Sequence, residues 1–188
     1  ELNREVGKIV ERKIEKPVEF KNPDITVVID TRYDNVELQI APLFIYGRYK
    51  KFIRDIPQTK WPCKRCWGKG CEKCSFTGKI YPTSVEEIIA SKVMDASSGE
   101  EHFLHGLGRE DVDARMLGTG RPFILEIRNP RKRSIDLKKL EPEINAFGKD
   151  KVEVCELRFT DFKEVVAIKQ VEANKIYRAV VELESYVD

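Results

Sequence analysis

Four cysteines that fall within twelve positions restrict this chain more than any other feature of its sequence. Their spacing is Cys63-x2-Cys66-x4-Cys71-x2-Cys74. In each x2 pair a tight turn brings two sulfurs to the same ion at about 2.3 Å, so the set is typical of tetrahedral Zn²⁺. Because protein would fill all four positions, we expect the metal to be structural rather than catalytic. An iron–sulfur cluster and a set of reduced thiols are the alternatives.

The composition is that of a soluble globular protein and does not reveal a partner. Hydrophobic residues make up 41% of the 188 positions, and no apolar run approaches the roughly 18 residues of a membrane span. Without a secretory segment, the five cysteines indicate metal binding in the cytoplasm rather than a disulfide framework. The net charge is only +2, so any nucleic-acid site must be a local patch.

The N-terminal part of the chain predicts a helix and a hairpin. Apolar residues from Leu2 to Ile14 recur at spacings of three and four, which indicates an amphipathic helix, and Pro17 follows its end. Residues 25–29 and 36–40 flank turn residues and predict paired strands, with a further strand near 43–46. A helix and a hairpin are too small to form a complete domain, so we expect the end of a domain whose beginning is missing.

Helices and strands interleave after the cysteines, which favours an α+β domain built on a sheet. We predict that Thr83 caps a helix in a capping box with Glu86, and that Thr160 caps another. A third helix should kink or restart at Pro142 and end at Gly148. The predicted helices cover 85–93, 137–144 and 162–169, the predicted strands cover 123–128, 152–159 and 175–183, and 96–108 is predicted as loop.

Residues 108–123 hold the densest chemistry in the chain. Three acids and three arginines share this stretch: Glu110, Asp111, Asp113, Arg109, Arg115 and Arg121. A carboxylate paired with arginine in a partly dry cleft stays ionised and can act as nucleophile or base, while flanking arginines can hold phosphates. On composition alone, a solvated loop with surface ion pairs is the commoner outcome.

The same stretch reads Gly-Arg-Glu-Asp-Val-Asp-x-Arg-x-Leu-Gly-x-Gly-Arg-Pro-Phe. It closely resembles the catalytic motif of the archaeal and eukaryotic pseudouridine synthase family that modifies the T-loop of tRNA. Asn-Pro-Asp-Ile at 22–25 looks like the close of a THUMP domain, the RNA-binding module of this family, and Tyr-Pro-x-Ser-Val-Glu-Glu at 81–87 looks like the archaeal entry to the catalytic domain. The resemblance implies the C-terminal part of a THUMP-like α/β domain over 1–58 and a zinc knuckle over 59–80. It also implies the first part of a catalytic domain with a mixed or antiparallel sheet over 81–188.

The resemblance also implies roles for individual residues. Several pseudouridine synthase branches place a glycine five residues after the catalytic aspartate, as Gly118 follows Asp113, which is therefore preferred. Another branch reads Gly-Arg-x-Asp, which keeps Asp111 as the rival. Lys-Ile-Tyr at 175–177 resembles the motif whose tyrosine stacks under the target base, which implies a catalytic Tyr177, although such a tyrosine is more often a half-buried strand residue.

The activity that the resemblance implies is isomerisation of uridines 54 and 55 of tRNA to pseudouridine, through Asp113 and without an organic cofactor. Arg109, Arg115 and Arg121 would bind RNA phosphates or pair with the aspartate. Because later motifs of the family are missing, we expect this fragment to be inactive alone, and its truncated sheet could self-associate. The alternative function is a non-catalytic, zinc-containing RNA-binding module.

Overall fold

The computed structural model describes residues 1–182, and its elements form two groups: a helix with a hairpin, and a four-stranded sheet with three helices. In chain order they are α1 (Leu2–Ile14), β1 (Ile25–Asp30), β2 (Asn35–Ile40), β3 (Leu43–Lys51), α2 (Val85–Ser97), β4 (Glu101–Gly106), β5 (Met116–Arg128), α3 (Leu137–Phe147), β6 (Val152–Thr160) and α4 (Phe162–Gln170). The mixed α+β architecture with antiparallel sheets confirms the predicted fold class. None of the helices in the described residues is long and apolar enough to cross a membrane.

The N-terminal group confirms the predicted helix and hairpin. Helix α1 ends at Glu15, whose φ of 52° places it in the left-handed region, and Pro17 follows. Strands β1 and β2 pair antiparallel, with Ile25 opposite Ile40. No residue of α1 is buried, and the hairpin is almost entirely exposed. This group therefore adds little to the core of the described chain.

The strand that begins at Leu43 belongs to the second group and not, as we expected, to the first. The sheet order is β4-β5-β3-β6, so β3 is a central strand. It runs on to Lys51, with Leu43 opposite Ile127 of β5 and Phe44 opposite Thr160 of β6. These partners lie more than 60 residues further along the chain, a distance that short-range patterns do not cover. The sheet thus begins well before the expected domain limit at residue 58.

Strand β5 is buried on both faces and holds the layers of the second group together. Phe123, Leu125 and Ile127 pack against apolar side chains of α2 and α3. On the other face Ile124 packs against Val165 and other apolar residues of β3 and α4. Because β5 is packed on both faces, it holds in place the C-terminal end of the segment that leads into it, residues 107–115.

Residues 101–106 form β4, where we expected a loop. The strand pairs with β5, with Glu101 opposite Arg128 and Gly106 opposite Phe123. Its sequence, Glu-His-Phe-Leu-His-Gly, lacks the apolar alternation that marks a strand, and only Leu104 of the six residues is buried. Backbone pairing with the edge of β5 decides its conformation instead.

The predicted capping box at Thr83 and Glu86 is wrong by one residue. Ser84 caps α2: its hydroxyl accepts a hydrogen bond from the Glu87 N–H at 3.2 Å and donates to the Glu87 carboxylate at 2.8 Å. The pair Thr83 and Glu86 and the pair Ser84 and Glu87 both have the spacing of a capping box, so the spacing alone does not choose between them. Glu86 is engaged elsewhere, since its carboxylate lies 3.0 Å from Nδ1 of His102.

The remaining helices also differ from the prediction at single positions. Helix α3 continues through Pro142 to Phe147 without a restart, and Gly148 is its C-cap as predicted. Proline removes only the hydrogen bond to the carbonyl of Lys138, which lies on the exposed side of the helix where water can replace the donor. Asp161 rather than Thr160 caps α4, and its carboxylate accepts from two backbone N–H groups.

Residues 171–182 contain neither helix nor strand. The strand predicted over 175–183 is therefore wrong for 175–182, and Leu183 lies outside the described residues. Ile176 and Tyr177 are both exposed. Apolar alternation in this stretch does not produce a strand, because no neighbouring strand of the described chain pairs with it.

Candidate metal centre and acidic loop

The four predicted cysteines converge on one point. All four Sγ atoms lie within 4.8 Å of one another. The separations are 3.9 Å for Cys63 and Cys71, 3.8 Å for Cys66 and Cys74, and 3.7 Å for Cys71 and Cys74. Four sulfurs at about 2.3 Å from a tetrahedral ion are about 3.8 Å apart. The cluster therefore fits a metal ion.

Two close backbone approaches shape the knuckle, residues 59–80. The Cys63 N–H donates to the Gly78 carbonyl at 2.8 Å and closes the loop. At Gly78, φ is +71° and an added Cβ would lie 2.3 Å from the carbonyl oxygen of Gly68. A larger residue at Gly78 would thus separate the two halves of the cluster.

Backbone N–H groups point at the sulfurs. Gly70 N–H donates to Cys66 Sγ at 3.2 Å, and Gly78 N–H donates to Cys74 Sγ at 3.3 Å. Burial raises the pKa of Cys74, but backbone hydrogen bonds from Cys71 and Gly78 outweigh it and lower the pKa to about 6. The chain thus favours a thiolate at Cys74, the form that binds metal.

The acidic loop, residues 107–115, connects β4 to β5. Asp111 and Asp113 are exposed, as are Arg109 and Arg115. We expected an aspartate to be the carboxylate that pairs with arginine in a partly dry cleft. That carboxylate is instead Glu110, which pairs with Arg121 and whose side chain is only 5% exposed. The two aspartates therefore face solvent while their neighbour enters the interior.

A buried network surrounds Glu110. Its Oε2 accepts hydrogen bonds from the Tyr49 hydroxyl at 2.7 Å and from Arg121 Nε at 2.9 Å. Gln58 donates to the Tyr49 oxygen at 2.8 Å and to the Gly108 carbonyl. Burial and the charge of Glu110 raise the pKa of Tyr49 far above its usual value, so its hydroxyl remains a donor. Arg121, predicted to bind RNA, has its Nε in this network and donates a second bond, to the carbonyl preceding Gly108.

Lys51 lies at the centre of the same network and is completely buried. Its ammonium donates to the backbone carbonyls of Ile56, Asp111 and Val112 at 3.0, 3.1 and 3.1 Å. Its Nζ lies 4.0 Å from Oε1 of Glu110. Burial lowers the pKa of Lys51, and the negative charge of Glu110 opposes that shift.

The entry to β5 is held by a third residue of β3. Arg48 donates to the carbonyls of Thr119 and Gly120 at 2.8 and 2.7 Å, and to the Thr119 hydroxyl at 3.0 Å. Gly120 has a φ of +80°, and an added Cβ would lie 3.0 Å from the Tyr49 carbonyl. Strand β3 therefore supports both ends of the segment that contains the aspartates.

A small cleft lies between the loop and the chain leading to the knuckle. Its volume is about 80 Å³, and its lining includes Gln58, Trp61, Arg109, Glu110 and Asp111. Of the two aspartates, Asp111 lines this cleft and Asp113 lies outside it.

A side chain from the segment that contains Tyr177 reaches the loop. Lys175 Nζ lies 3.9 Å from the position that a Cβ would occupy at Gly108. Tyr177 itself is 78% exposed and does not lie in a strand, so it is not the half-buried strand residue of the alternative interpretation.

Sequence reasoning missed the residues that support the loop. Tyr49, Lys51 and Gln58 carry no motif, and Glu110 was noted only as one acid among three. One signal was available: Lys51 lies two residues after Tyr49 and six after Ile45, so in a strand it shares their face. Its acceptors, 60 residues away, were not visible in the sequence.

These features define an α+β protein with a four-cysteine candidate metal centre and an exposed carboxylate loop on a sheet. Residues 44–188 match the family model described as Pus10, C-terminal, and residues 1–30 match that of the archaeal Pus10 THUMP domain. The chain belongs to the Pus10 family.

Three relatives carry the name tRNA pseudouridine synthase Pus10. That of Methanothermobacter marburgensis is 51% identical over 190 residues, covering 100% of this chain and 47% of the relative. That of Archaeoglobus fulgidus is 53% identical and covers 89% of this chain and 46% of the relative. That of Methanocaldococcus jannaschii is 51% identical and covers 93% of this chain and 38% of the relative. The chain thus spans less than half the length of these relatives.

Proposed function

We propose that this chain is part of a tRNA pseudouridine synthase that isomerises T-loop uridines 54 and 55. The observation that carries the proposal is the acidic loop: the protein interior fixes its backbone while both aspartates face solvent. Relatives about half identical to the chain, and named tRNA pseudouridine synthase, support the reaction and its substrate.

In the proposed reaction the C1′–N1 bond of uridine breaks, the base turns, and a C1′–C5 bond forms. The C5 proton leaves and N1 ends protonated, so the product is an isomer of the substrate. Asp113 acts as nucleophile or base, and Asp111, in the Gly-Arg-x-Asp pattern at 108–111, is its rival. Tyr177 is exposed, two residues after Lys175 whose side chain reaches the loop, and it stacks on the flipped base.

The three arginines of the loop separate into two groups. Arg109 and Arg115 contact tRNA phosphates, and their exposure supports this role. Arg121 was predicted to do the same, but it is 9% exposed and bonded to Glu110. Its contribution to RNA binding is therefore indirect, through the shape of the loop.

We assign Zn²⁺ to the four cysteines as a structural metal. The sulfur separations support this assignment, and four protein ligands leave no open coordination position. When bound, the metal would hold the two halves of the knuckle together. Free thiols of this kind fit the reducing cytoplasm.

The domain limit that we propose differs from the one expected at residue 58. The THUMP-like part ends before Leu43, because β3 pairs with β5 and β6 of the catalytic part. The knuckle at 59–80 is then an insertion between the first strand and the first helix of the catalytic domain.

The experiment is to incubate the full-length protein that contains this sequence with unmodified tRNA and to map pseudouridine by position. Pseudouridine at 54 or 55 supports the proposal. Binding of tRNA without any modification would instead favour the non-catalytic RNA-binding module. Elemental analysis of the same preparation tests the zinc assignment, and iron–sulfur absorption would contradict it.

A further inference from the structure

A completely buried lysine is uncommon and demands an explanation. Lys51 is 0% exposed, and an ammonium without water must find acceptors for its protons or lose its charge. Three backbone carbonyls provide them, those of Ile56, Asp111 and Val112. Two of these carbonyls belong to the acidic loop, directly before Asp113.

The carbonyls that Lys51 binds also accept backbone hydrogen bonds. The Asp111 carbonyl accepts from Ala114 N–H at 3.1 Å, within the turn that contains Asp113. The Val112 carbonyl accepts from Asp55 N–H at 2.9 Å, from the chain that follows β3. Lys51 therefore joins a turn of the loop to a neighbouring segment at one point beneath Asp113.

The charges in this network explain why the ammonium remains there. Glu110 lies between Lys51 at 4.0 Å and Arg121 at 2.9 Å, and all three side chains are at most 10% exposed. One buried negative charge thus faces two positive charges. This charge balance keeps the Lys51 ammonium next to the acidic loop.

We propose that Lys51 is a positioning residue: its ammonium fixes the backbone of Asp111 and Val112 and thereby orients the carboxylate of Asp113. The inference rests on the proposed function for its effect on the reaction, but its effect on the loop stands independently. Lys51 touches no reacting atom. Its role is to hold the loop in one geometry, so that no part of the RNA-binding energy is used to order it.

The test uses Lys51→Met in the full-length protein, which keeps the length of the side chain and removes the three donated hydrogen bonds. We expect the single-turnover rate of pseudouridine formation to fall about 10- to 100-fold while the Kd for tRNA changes less than about threefold. Trypsin cleavage after Arg109 and Arg115 should accelerate. Lys50→Met is the matched control, because Lys50 pairs with Glu153 on β6 and should change none of these readouts.

A second variant separates positioning from stability. Lys51→Met leaves three carbonyls without their buried donor, so its unfolding midpoint is expected to fall. Ile144→Ala lowers the midpoint from the core between α3 and the sheet without touching the loop, and we expect it to keep the wild-type rate and the resistance of the loop to trypsin. An equal loss of rate in Ile144→Ala and Lys51→Met would overturn the proposal, as would a parallel loss of rate and tRNA affinity in Lys51→Met.

The proposed function can fail separately. If neither the wild-type protein nor any variant forms pseudouridine, trypsin cleavage of the loop still decides the inference. Faster cleavage in Lys51→Met than in Lys50→Met supports the role of Lys51. Equal cleavage in the two variants, with both folded, contradicts it.

Discussion

The knuckle and the acidic loop are both short irregular segments, but they are held in different ways. The knuckle closes on itself: its four sulfurs and the Cys63–Gly78 hydrogen bond lie within residues 63–78. The loop is fixed from a distance by Tyr49, Lys51 and Gln58, which are 50 to 61 residues away in sequence. The first depends on its own residues, the second on the fold of the sheet. Disrupting one should therefore leave the other largely intact.

Removal of the metal should produce the largest effect. Structural Zn²⁺ contributes on the order of 10 kcal/mol to small metal-dependent folds, so chelation should raise hydrogen exchange throughout residues 60–80. Strands β3 and β5 should stay protected because their pairing does not involve the knuckle. Loss of protection in both strands on chelation would show that the two regions unfold as one unit.

Loss of Glu110 should destabilise the sheet and leave the knuckle intact. Glu110→Ala leaves Lys51 and Arg121 without a buried counter-charge, and we expect the free energy of unfolding to fall by about 3–5 kcal/mol with metal content unchanged. Denaturant unfolding and elemental analysis measure the two quantities. Glu153→Ala, which breaks the half-exposed pair with Lys50, is the control and should cost at most about 1 kcal/mol. Equal losses in both variants would refute the network.

Acid should weaken the sheet through Glu126. Burial raises the pKa of this residue, but hydrogen bonds with His105 and Arg128 outweigh it and hold the pKa below the ordinary value of 4.5. A lowered folded-state pKa contributes stability above pH 4.5, and that contribution is lost as the pH falls through the folded-state value. Wild-type protein should lose more stability between pH 6 and pH 3 than Glu126→Gln does. Identical pH profiles of the two proteins would show that Glu126 does not contribute to the loss of stability in acid.

The cap of α2 should show the smallest effect. Ser84→Ala removes the observed capping hydrogen bond and should cost about 1 kcal/mol of stability, whereas Thr83→Ala should cost close to nothing. Thermal unfolding of the two variants is the measurement. The reverse order would restore the capping box that the sequence predicted at Thr83.

The knuckle was predictable because its information is local. Two x2 pairs of cysteines determine both the ligands and the turns, and the structure brings together the four residues that the spacing named. The helix and hairpin of the first 40 residues were predictable for the same reason, since period and turn residues lie within each element.

The support of the loop was not predictable from local patterns. From the sequence alone, Lys51 is expected to be exposed to solvent. Only the pairing of β3 with β5 brings its ammonium to the carbonyls of Asp111 and Val112. Strand β4 was missed because its conformation comes from its neighbour rather than from its own residues. Arg121 was assigned to RNA because the sequence does not show which of three acids turns inward.

The central claim is that an exposed aspartate on the supported loop carries out the isomerisation. The most direct measurement compares Asp113→Ala and Asp111→Ala in the full-length protein, with pseudouridine mapped at tRNA positions 54 and 55. We predict that Asp113→Ala abolishes modification while tRNA still binds, and that Asp111→Ala retains measurable activity. Loss of activity only in Asp111→Ala would transfer the catalytic role to the aspartate that lines the cleft. Full activity in both variants would contradict the account.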